Sequence, residues 1–149
     1  MSKIKNYTSI VPAATSISKI EQCLVEFGAT DISKKYNEEK ICTGIVFRLV
    51  VNNMPLFFKL TAKSDACFRV LYAEYKKPNP EIKSKCKMQA DRTAWKIISD
   101  WVDIQLSMIQ LEQAELLQIF LPYAYDNKTD STFYEKLKEN DFKTLLLNP

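Results

Sequence analysis

Two periods of hydrophobic residues along the chain predict its elements. Behind Ser16, which can cap a helix N-terminus, apolar residues recur at helical spacing as far as Gly28, so we predict a first helix over 16–27. The next stretch changes period and is rich in β-branched and aromatic side chains, as strands are. Polar turns divide it into three runs: 32–36, 41–51 and 56–62. We expect these runs to form an antiparallel meander with one face towards the core.

The second half of the chain has helical periodicity. Ser64 and Asp65 begin a predicted helix over about 64–76, and the prolines that follow end it. A longer helix is predicted over about 85–110. Its polar residues fall on one narrow stripe: Arg92, Lys96, Ser99, Asp103, Ser107 and Gln110. The remaining surface is wider than the apolar face of an ordinary surface helix, so this helix either is central to the domain or covers a partner as well. We expect four of its residues to be buried: Trp95, Ile98, Trp101 and Val102.

These elements together predict the fold class. It is α+β, with an N-terminal helix, a three-stranded antiparallel sheet, and then a helical C-terminal half with one long central helix. A length of 149 residues fits one domain. We expect that domain to span 1–149, with residues 1–14 as an extended arm and residues 76–87 as a basic loop.

The composition excludes several kinds of chemistry. The chain has no histidine, which removes Ser-His-Asp and Cys-His catalysis and His-ligated zinc. Two glycines are too few for a Gly-rich phosphate loop. The four cysteines include no C-x-x-C pair, so we expect reduced thiols that hold no metal. The sequence therefore predicts a non-enzymatic protein without a cofactor, and a carboxylate-dependent metal enzyme is the remaining catalytic alternative.

The N-terminal sequence MSKIKNYTSIVPAATS has no apolar stretch of the signal-peptide type. The apolar runs elsewhere in the chain are far shorter than a membrane span. We therefore expect a cytoplasmic protein with no membrane partner.

Positive charge is concentrated in the middle of the chain. Residues 59–96 hold 10 basic and 4 acidic residues, whereas residues 100–149 hold 4 and 9. Aromatic residues lie in the same basic window, and this composition is typical of nucleic-acid surfaces, since lysines neutralise phosphates and rings stack on bases. The candidate nucleic-acid-binding residues are Lys76, Lys77, Lys83, Lys85, Lys87 and Arg92. The alternative is that they belong to an ordinary solvated, lysine-rich surface.

Two stretches of the chain resemble a known family. They are KNYTSIVPAATSISKIEQCLVEFGATDISKKY at 5–36 and QADRTAWKIISDWVDIQLSMIQLEQAELLQIFLPY at 89–123. Both resemble small uncharacterised proteins of phages, prophages and other bacterial mobile elements. The resemblance implies a bacterial or phage origin, a location in the cytoplasm of the bacterial host cell, and a role in the element's replication, recombination or contest with host defences. It implies no ligand or activity, and therefore no functional residues.

We predict an accessory protein of a phage or mobile element that binds DNA or RNA through its basic middle segment. The principal alternative is a protein-binding module, such as an inhibitor of a host defence system, that uses the exposed part of the long helix. The wide apolar surface of that helix also favours self-association, most simply as a two-fold dimer.

Overall fold

The fold class predicted from the sequence is confirmed in the computed structural model, which describes residues 4–146. Its α-helices in chain order are α1 (Ala13–Phe27), α2 (Ser64–Tyr72), α3 (Pro80–Gln110), α4 (Leu116–Phe120) and α5 (Phe133–Glu139). Its strands are β1 (Asp31–Tyr36), β2 (Cys42–Val51), β3 (Met54–Thr61), β4 (Tyr125–Asp126) and β5 (Ser131–Thr132). Short 3-10 turns lie at Leu121–Tyr123 and Lys143–Leu145. The architecture is therefore a helix, an antiparallel sheet and a helical second half dominated by α3.

The larger sheet has the strand order β1-β2-β3, as a meander requires. β1 pairs antiparallel with β2, and Ile32 lies opposite Phe47. Asn52 and Asn53 form the two-residue turn between β2 and β3, with φ values of 51° and 65°. Positive φ at both positions is the geometry of the type I′ hairpin turn, which asparagine tolerates better than most residues. The turn residues thus fix the register of β2 and β3, and β2 buries residues of both its faces from Gly44 to Phe47.

The backbone contacts divide the chain into two compact units, each made of two segments. Unit 1 contains Met1–Phe27 and Thr61–Ser107, and unit 2 contains Gly28–Leu60 and Met108–Pro149. The expectation of a single domain over 1–149 stays a prediction.

Three fully buried phenylalanines form the centre of unit 2. Phe47 on β2 stacks on Phe58 of β3 with ring centroids 5.5 Å apart. Phe120 of α4 meets both rings at 5.8 Å, edge-on to Phe47 and tilted against Phe58. Offset and edge-to-face geometries are those that aromatic rings prefer, and each such pair contributes about 0.5–1.5 kcal/mol beyond its area burial. The sheet is therefore joined to the C-terminal helical segment by aromatic packing.

The long helix α3 begins at Pro80, five residues before its predicted start. Residues 80–87 of the predicted basic loop 76–87 are therefore helical. The connection between the helices is residues 73–79, because α2 already ends at Tyr72. The side chain of Asn79 accepts a hydrogen bond from the Ile82 backbone N–H at 2.9 Å, as an N-cap residue does. Proline suits the first helical position because the N–H that it lacks has no partner there. Pro80 therefore begins α3, whereas the sequence pattern predicts only that the prolines end the preceding helix.

The N-terminal segment is turned rather than extended in its described part, residues 4–12. Backbone hydrogen bonds from Tyr7 to Ile4 and from Ser9 to Asn6 fold it into tight turns. Asn6 has a φ of 63°, which asparagine adopts with little strain. The segment is held by α3: the Asn6 side chain donates to Asp100 at 2.9 Å, and Thr93 Oγ1 donates to the Asn6 carbonyl at 3.0 Å. The predicted arm is thus a docked segment.

Buried residues of α3 lie on opposite sides of the helix in its two halves. The first half buries Cys86, Ala90 and Thr93, whereas the second half buries Trp95, Ser99, Val102 and Leu106. At 3.6 residues per turn, Trp95 points about 160° away from Thr93. The predicted burial of Trp95 and Val102 is confirmed, but Ile98 and Trp101 are only half-buried. The predicted polar stripe is wrong at Ser99, which is 2% exposed.

The small hairpin β4–β5 in unit 2 was not predicted. Asp126 at its start accepts a hydrogen bond from the Lys136 ammonium on α5 at 2.7 Å. The helix α5 is capped by Thr132, whose side chain accepts from the Glu135 backbone N–H, while Glu135 accepts from the Thr132 N–H. This reciprocal arrangement is a capping box. The cap of α5 is therefore Thr132.

Candidate nucleic-acid interface

The six predicted binding residues lie on the turn after α2 and on the first half of α3. Lys76 and Lys77 are exposed in the turn. Lys83, Lys85 and Lys87 are exposed on the first turns of α3, and Arg92 is half-buried further along it. The helical start at Asn79 and Pro80 therefore decides where three of the lysines point.

The helix separates these residues into two sets. Lys83 and Lys87 are four residues apart and lie on the same side of α3, which we call the lysine face. Lys85 is two residues from each of them, so it points about 200° away. Arg92 follows Lys85 by seven residues, which is close to two full turns, and shares its side. The predicted residues do not form one continuous patch.

Ion pairing also distinguishes the two sets. Lys85 Nζ lies 3.3 Å from Glu81 Oε1, one turn earlier on the helix. In residues 4–146, Lys83 and Lys87 have no carboxylate within ion-pairing distance, and the same holds for Lys76 and Lys77.

Asp91, one turn beyond Lys87, accepts a hydrogen bond from Ser64 Oγ at 2.9 Å instead of pairing with a lysine. Burial raises the pKa of Asp91, although the hydrogen bond from Ser64 opposes that shift. Within residues 4–146, the lysine face therefore has no carboxylate that neutralises it through direct contact.

The other side of α3 borders a cleft within unit 1. Its volume is about 620 Å³. Its lining residues come from the N-terminal segment, α2 with the turn after it, and α3: Tyr7, Thr8, Leu71, Glu74, Tyr75, Lys85, Cys86, Gln89 and Arg92. Two of the predicted cationic residues, Lys85 and Arg92, therefore line a concave site.

Gln89 organises one wall of the cleft. Its side-chain Nε2 donates to the backbone carbonyls of Tyr7 and Ser9, both at 3.0 Å, and to Thr93 Oγ1 at 3.1 Å. Its Oε1 accepts a hydrogen bond of 2.6 Å from Arg92 Nη2. One amide thus fixes both the N-terminal segment and the guanidinium of Arg92.

Tyr75 lines the cleft beside Cys86. Interaction with Cys86 is the main cause that raises the pKa of Tyr75. The Tyr75 side chain is 48% exposed. Tyr7, also at the cleft, is 37% exposed. Exposed rings next to cations are the elements with which proteins stack bases.

Sequence reasoning missed Gln89, Tyr7 and the cleft. Gln89 has a usable signal, because it is four residues after Lys85 and three before Arg92 and must share their side of a helix. Tyr7 has none, since only the fold brings the N-terminal segment to α3.

All four cysteines are free thiols, and Cys86 is the buried one. Desolvation by burial raises the pKa of Cys67, and it is also the main cause that raises the pKa of Cys23. Within residues 4–146, no group of three or more metal-ligating side chains of the Cys, Asp or Glu type is clustered closely enough to hold a metal ion. No helix in that part of the chain has the length and apolar content needed to cross a membrane.

Comparison with known proteins gave no relative. No family model matches the chain, and neither the curated proteins nor the solved structures include a similar one. The resemblance to mobile-element proteins therefore stays a prediction.

Proposed function

We propose that this protein binds nucleic acid through its phosphate backbone, using the lysine face of Lys83 and Lys87 and the flanking pair Lys76 and Lys77. The observation that carries the proposal is that these four ammonium groups are exposed at one end of α3 and have no carboxylate in contact within residues 4–146. Ammonium groups without a partner on the protein attract a polyanion, and each neutralised phosphate releases condensed counterions.

The kind of cation favours binding without base specificity. Lysine is a point charge on a flexible stem, whereas bidentate base reading is done mainly by arginine. Four lysines and no arginine make up the proposed contact set. The same side chains therefore fit DNA and RNA, and salt should weaken the complex steeply.

The proposed setting is that of a non-enzymatic accessory protein of a phage or another bacterial mobile element, acting in the cytoplasm of its host. What supports it is the sequence resemblance, together with the absence of histidine from the whole chain. Backbone binding without base specificity suits replication or recombination, where the protein must act on any sequence.

The test uses charge reversal on one side of α3. A labelled duplex whose ends carry no phosphate is titrated by fluorescence anisotropy, and we expect a Kd of about 10⁻⁴–10⁻⁶ M at physiological salt. Lys83→Glu/Lys87→Glu should weaken binding at least about tenfold and reduce the salt slope by about 2, because each lysine is one phosphate contact.

Two controls separate this surface from net charge. Lys138→Glu/Lys143→Glu makes the same charge change at two exposed lysines of unit 2. Lys85→Glu reverses one lysine on the other side of the same helix. Both controls should keep most of the duplex affinity. Equal losses in the two double variants would contradict the proposed surface, and absence of binding at tens of micromolar would contradict the function.

Protein binding is the second candidate function, and Ile104 on α3 favours it. This side chain is 55% exposed, and the half-buried Ile97 and Trp101 lie on the same side of the helix. If a protein partner binds at Ile97, Trp101 and Ile104, its binding should depend weakly on salt and should be weakened by Ile104→Ser. Duplex binding should not be sensitive to Ile104→Ser. Light scattering on the same samples reports whether that partner is a second copy of the chain.

A further inference from the structure

The cleft of unit 1 has the size and the wall chemistry of a small-molecule site. Its volume of about 620 Å³ lies inside the range of roughly 300–1,000 Å³ that such sites occupy. Its walls combine exposed aromatic rings, two cations, one carboxylate (Glu74) and a fixed amide. Sites of this kind use a few polar groups to orient a ligand that is otherwise held by apolar and aromatic contact.

Within residues 4–146, no carboxylate forms an ion pair with the guanidinium of Arg92, although Glu74 lines the same cleft. The guanidinium offers five N–H donors, and in residues 4–146 its hydrogen bond goes to the neutral Gln89 amide. Its Nε is buried without an acceptor in that part of the chain. A half-buried cation without an anion is costly, and an anion bound in the cleft would offset that cost. Lys85, which pairs with Glu81 at 3.3 Å, is a second cation on the same side of α3, so the expected ligand carries a phosphate or a comparable anionic group that competes with Glu81 for Lys85.

The rings of Tyr7 and Tyr75 indicate the rest of the ligand. Both line the cleft and keep a third to a half of their surface exposed, at 37% and 48%. The Gln89 amide fixes the backbone at Tyr7 by donating to its carbonyl, and Tyr75 lines the cleft together with Cys86 and Lys85. A positioned ring beside a cation is suited to a planar base, and each base stacked on an aromatic ring contributes about 1–3 kcal/mol. Glu74 at the same cleft can accept from a base amino or sugar hydroxyl group.

We propose that this cleft binds a nucleoside 5′-phosphate, with the base against Tyr7 and Tyr75 and the phosphate at Arg92 and Lys85. Such a group is presented either by a free nucleotide or by the 5′-phosphorylated end of a strand. The ligand class rests on the proposed function. The choice of cleft residues does not depend on it, because the lysine face lies on the other side of α3.

The first experiment is calorimetric titration of the full chain with AMP, adenosine and inorganic phosphate. AMP should bind at least about tenfold more tightly than adenosine or phosphate, because both halves of the site are then used. Arg92→Gln and Tyr75→Leu should each weaken AMP binding about tenfold or more, as expected for losing a charged hydrogen-bond donor or a stacking ring. Lys85→Gln changes an exposed residue and serves as the variant that keeps its fold if Arg92→Gln does not.

The second experiment identifies the source of the ligand. Short single strands with a 5′-phosphate or a 5′-hydroxyl are compared, and AMP is added as competitor. A phosphorylated strand that binds about tenfold more tightly and is displaced by AMP would assign the cleft to strand ends. Equal binding of the two strands together with AMP binding would assign it to free nucleotides. Either result supports the cleft as a nucleoside-phosphate site.

The outcome that overturns the proposal is AMP that fails to bind at millimolar concentration, or that binds folded Lys85→Gln and Tyr75→Leu as tightly as the unaltered chain. The lysine-face proposal fails separately. Its probe is a duplex without terminal phosphates, and its variant, Lys83→Glu/Lys87→Glu, should leave AMP affinity within about twofold because those lysines do not line the cleft.

Discussion

At the scale of single residues, Gln89 connects more of unit 1 than its sequence context suggests. Its amide group contacts Tyr7, Ser9 and Thr93 as a donor and Arg92 as an acceptor. The two N–H groups of a glutamine serve three acceptors here, so the bonds to them are shared. The Tyr7 and Ser9 carbonyls lie in the turns of the N-terminal segment. Gln89 supplies both with a hydrogen-bond donor, which water would otherwise have to provide.

Gln89→Ala should destabilise the protein by about 1–3 kcal/mol, because it leaves partly buried carbonyls and the Arg92 guanidinium without their partner. Urea unfolding measures this loss. Gln22→Ala, which removes an exposed amide paired with Glu26 on α1, is the matched control and should stay within about 0.5 kcal/mol. Gln89→Glu keeps the acceptor for Arg92 but loses both donors, and it should release residues 4–12 to faster hydrogen exchange. Equal values for Gln89→Ala and Gln22→Ala would show that the contacts do not persist in solution.

At the scale of elements, α3 explains why its sequence has no ordinary amphipathic pattern. The helix buries one side through Cys86, Ala90 and Thr93, and then the opposite side through the stripe from Trp95 to Leu106. A single hydrophobic stripe of period 3.6 cannot describe a helix that is covered on two sides in turn. Polar residues of α3 are also covered by another part of the chain. Lys96 and Asp100 form an ion pair of 3.0 Å beside the docked N-terminal segment.

The two tryptophans of α3 should respond differently to truncation. Trp95 has no exposed surface, so Trp95→Ala should cost about 3–5 kcal/mol, the range for a large side chain removed from a closed core. Trp101 is half-buried, and Trp101→Ala should cost clearly less. Chemical denaturation compares the two variants. A larger loss for Trp101→Ala would mean that the second half of α3 is covered in solution by more than its own chain, as an oligomer would cover it.

Much of the fold was predictable at this scale, for physical reasons that differ by element. The strands were predictable because β2 and β3 are rich in β-branched and aromatic residues on either side of a two-residue turn. The start of α3 was missed because proline ends one helix and begins another with equal sequence signal, and only the cap hydrogen bond of Asn79 distinguishes the two. That one boundary also decided the candidate site, since it placed Lys83 and Lys85 on different sides of a helix.

At the scale of the whole molecule, the charge division differs from the one visible along the chain. The sequence divides into a basic part before residue 100 and an acidic part after it. Each unit, however, contains residues from both sides of that boundary. Unit 1 holds 12 basic and 8 acidic residues, and unit 2 holds 9 and 10. Each unit therefore mixes early and late segments, and the proposed binding surface belongs to the more basic one. Cleft residues so far apart in sequence, such as Tyr7 and Arg92, could not have been grouped without the fold.

Stability should fall in acid because several carboxyl groups are stabilised in their ionised form. The hydrogen bond from Lys136 lowers the pKa of Asp126 from 3.8 to about 2. The hydrogen bond from the Tyr125 phenol and the charge of Lys59 lower the pKa of Asp130. Burial opposes ionisation of Asp100, but hydrogen bonds from Asn6 and Lys96 and nearby lysine charges outweigh it, and its pKa is also lowered.

A carboxyl whose pKa is lower in the folded chain stabilises the fold above its unfolded pKa, and this contribution is lost as pH falls through the folded value. For Asp126 that window runs from 3.8 down to about 2. Asp91, whose pKa burial raises, acts in the opposite direction but is a single group among these. We therefore expect the free energy of unfolding, measured with urea between about pH 5 and about pH 2, to decrease steadily with acid. Asp126→Asn cannot titrate, so its curve should fall less over this window. A curve parallel to that of the unaltered chain would show that Lys136 does not hold Asp126 in solution, and the acid sensitivity would then come from other carboxyl groups such as Asp130 and Asp100.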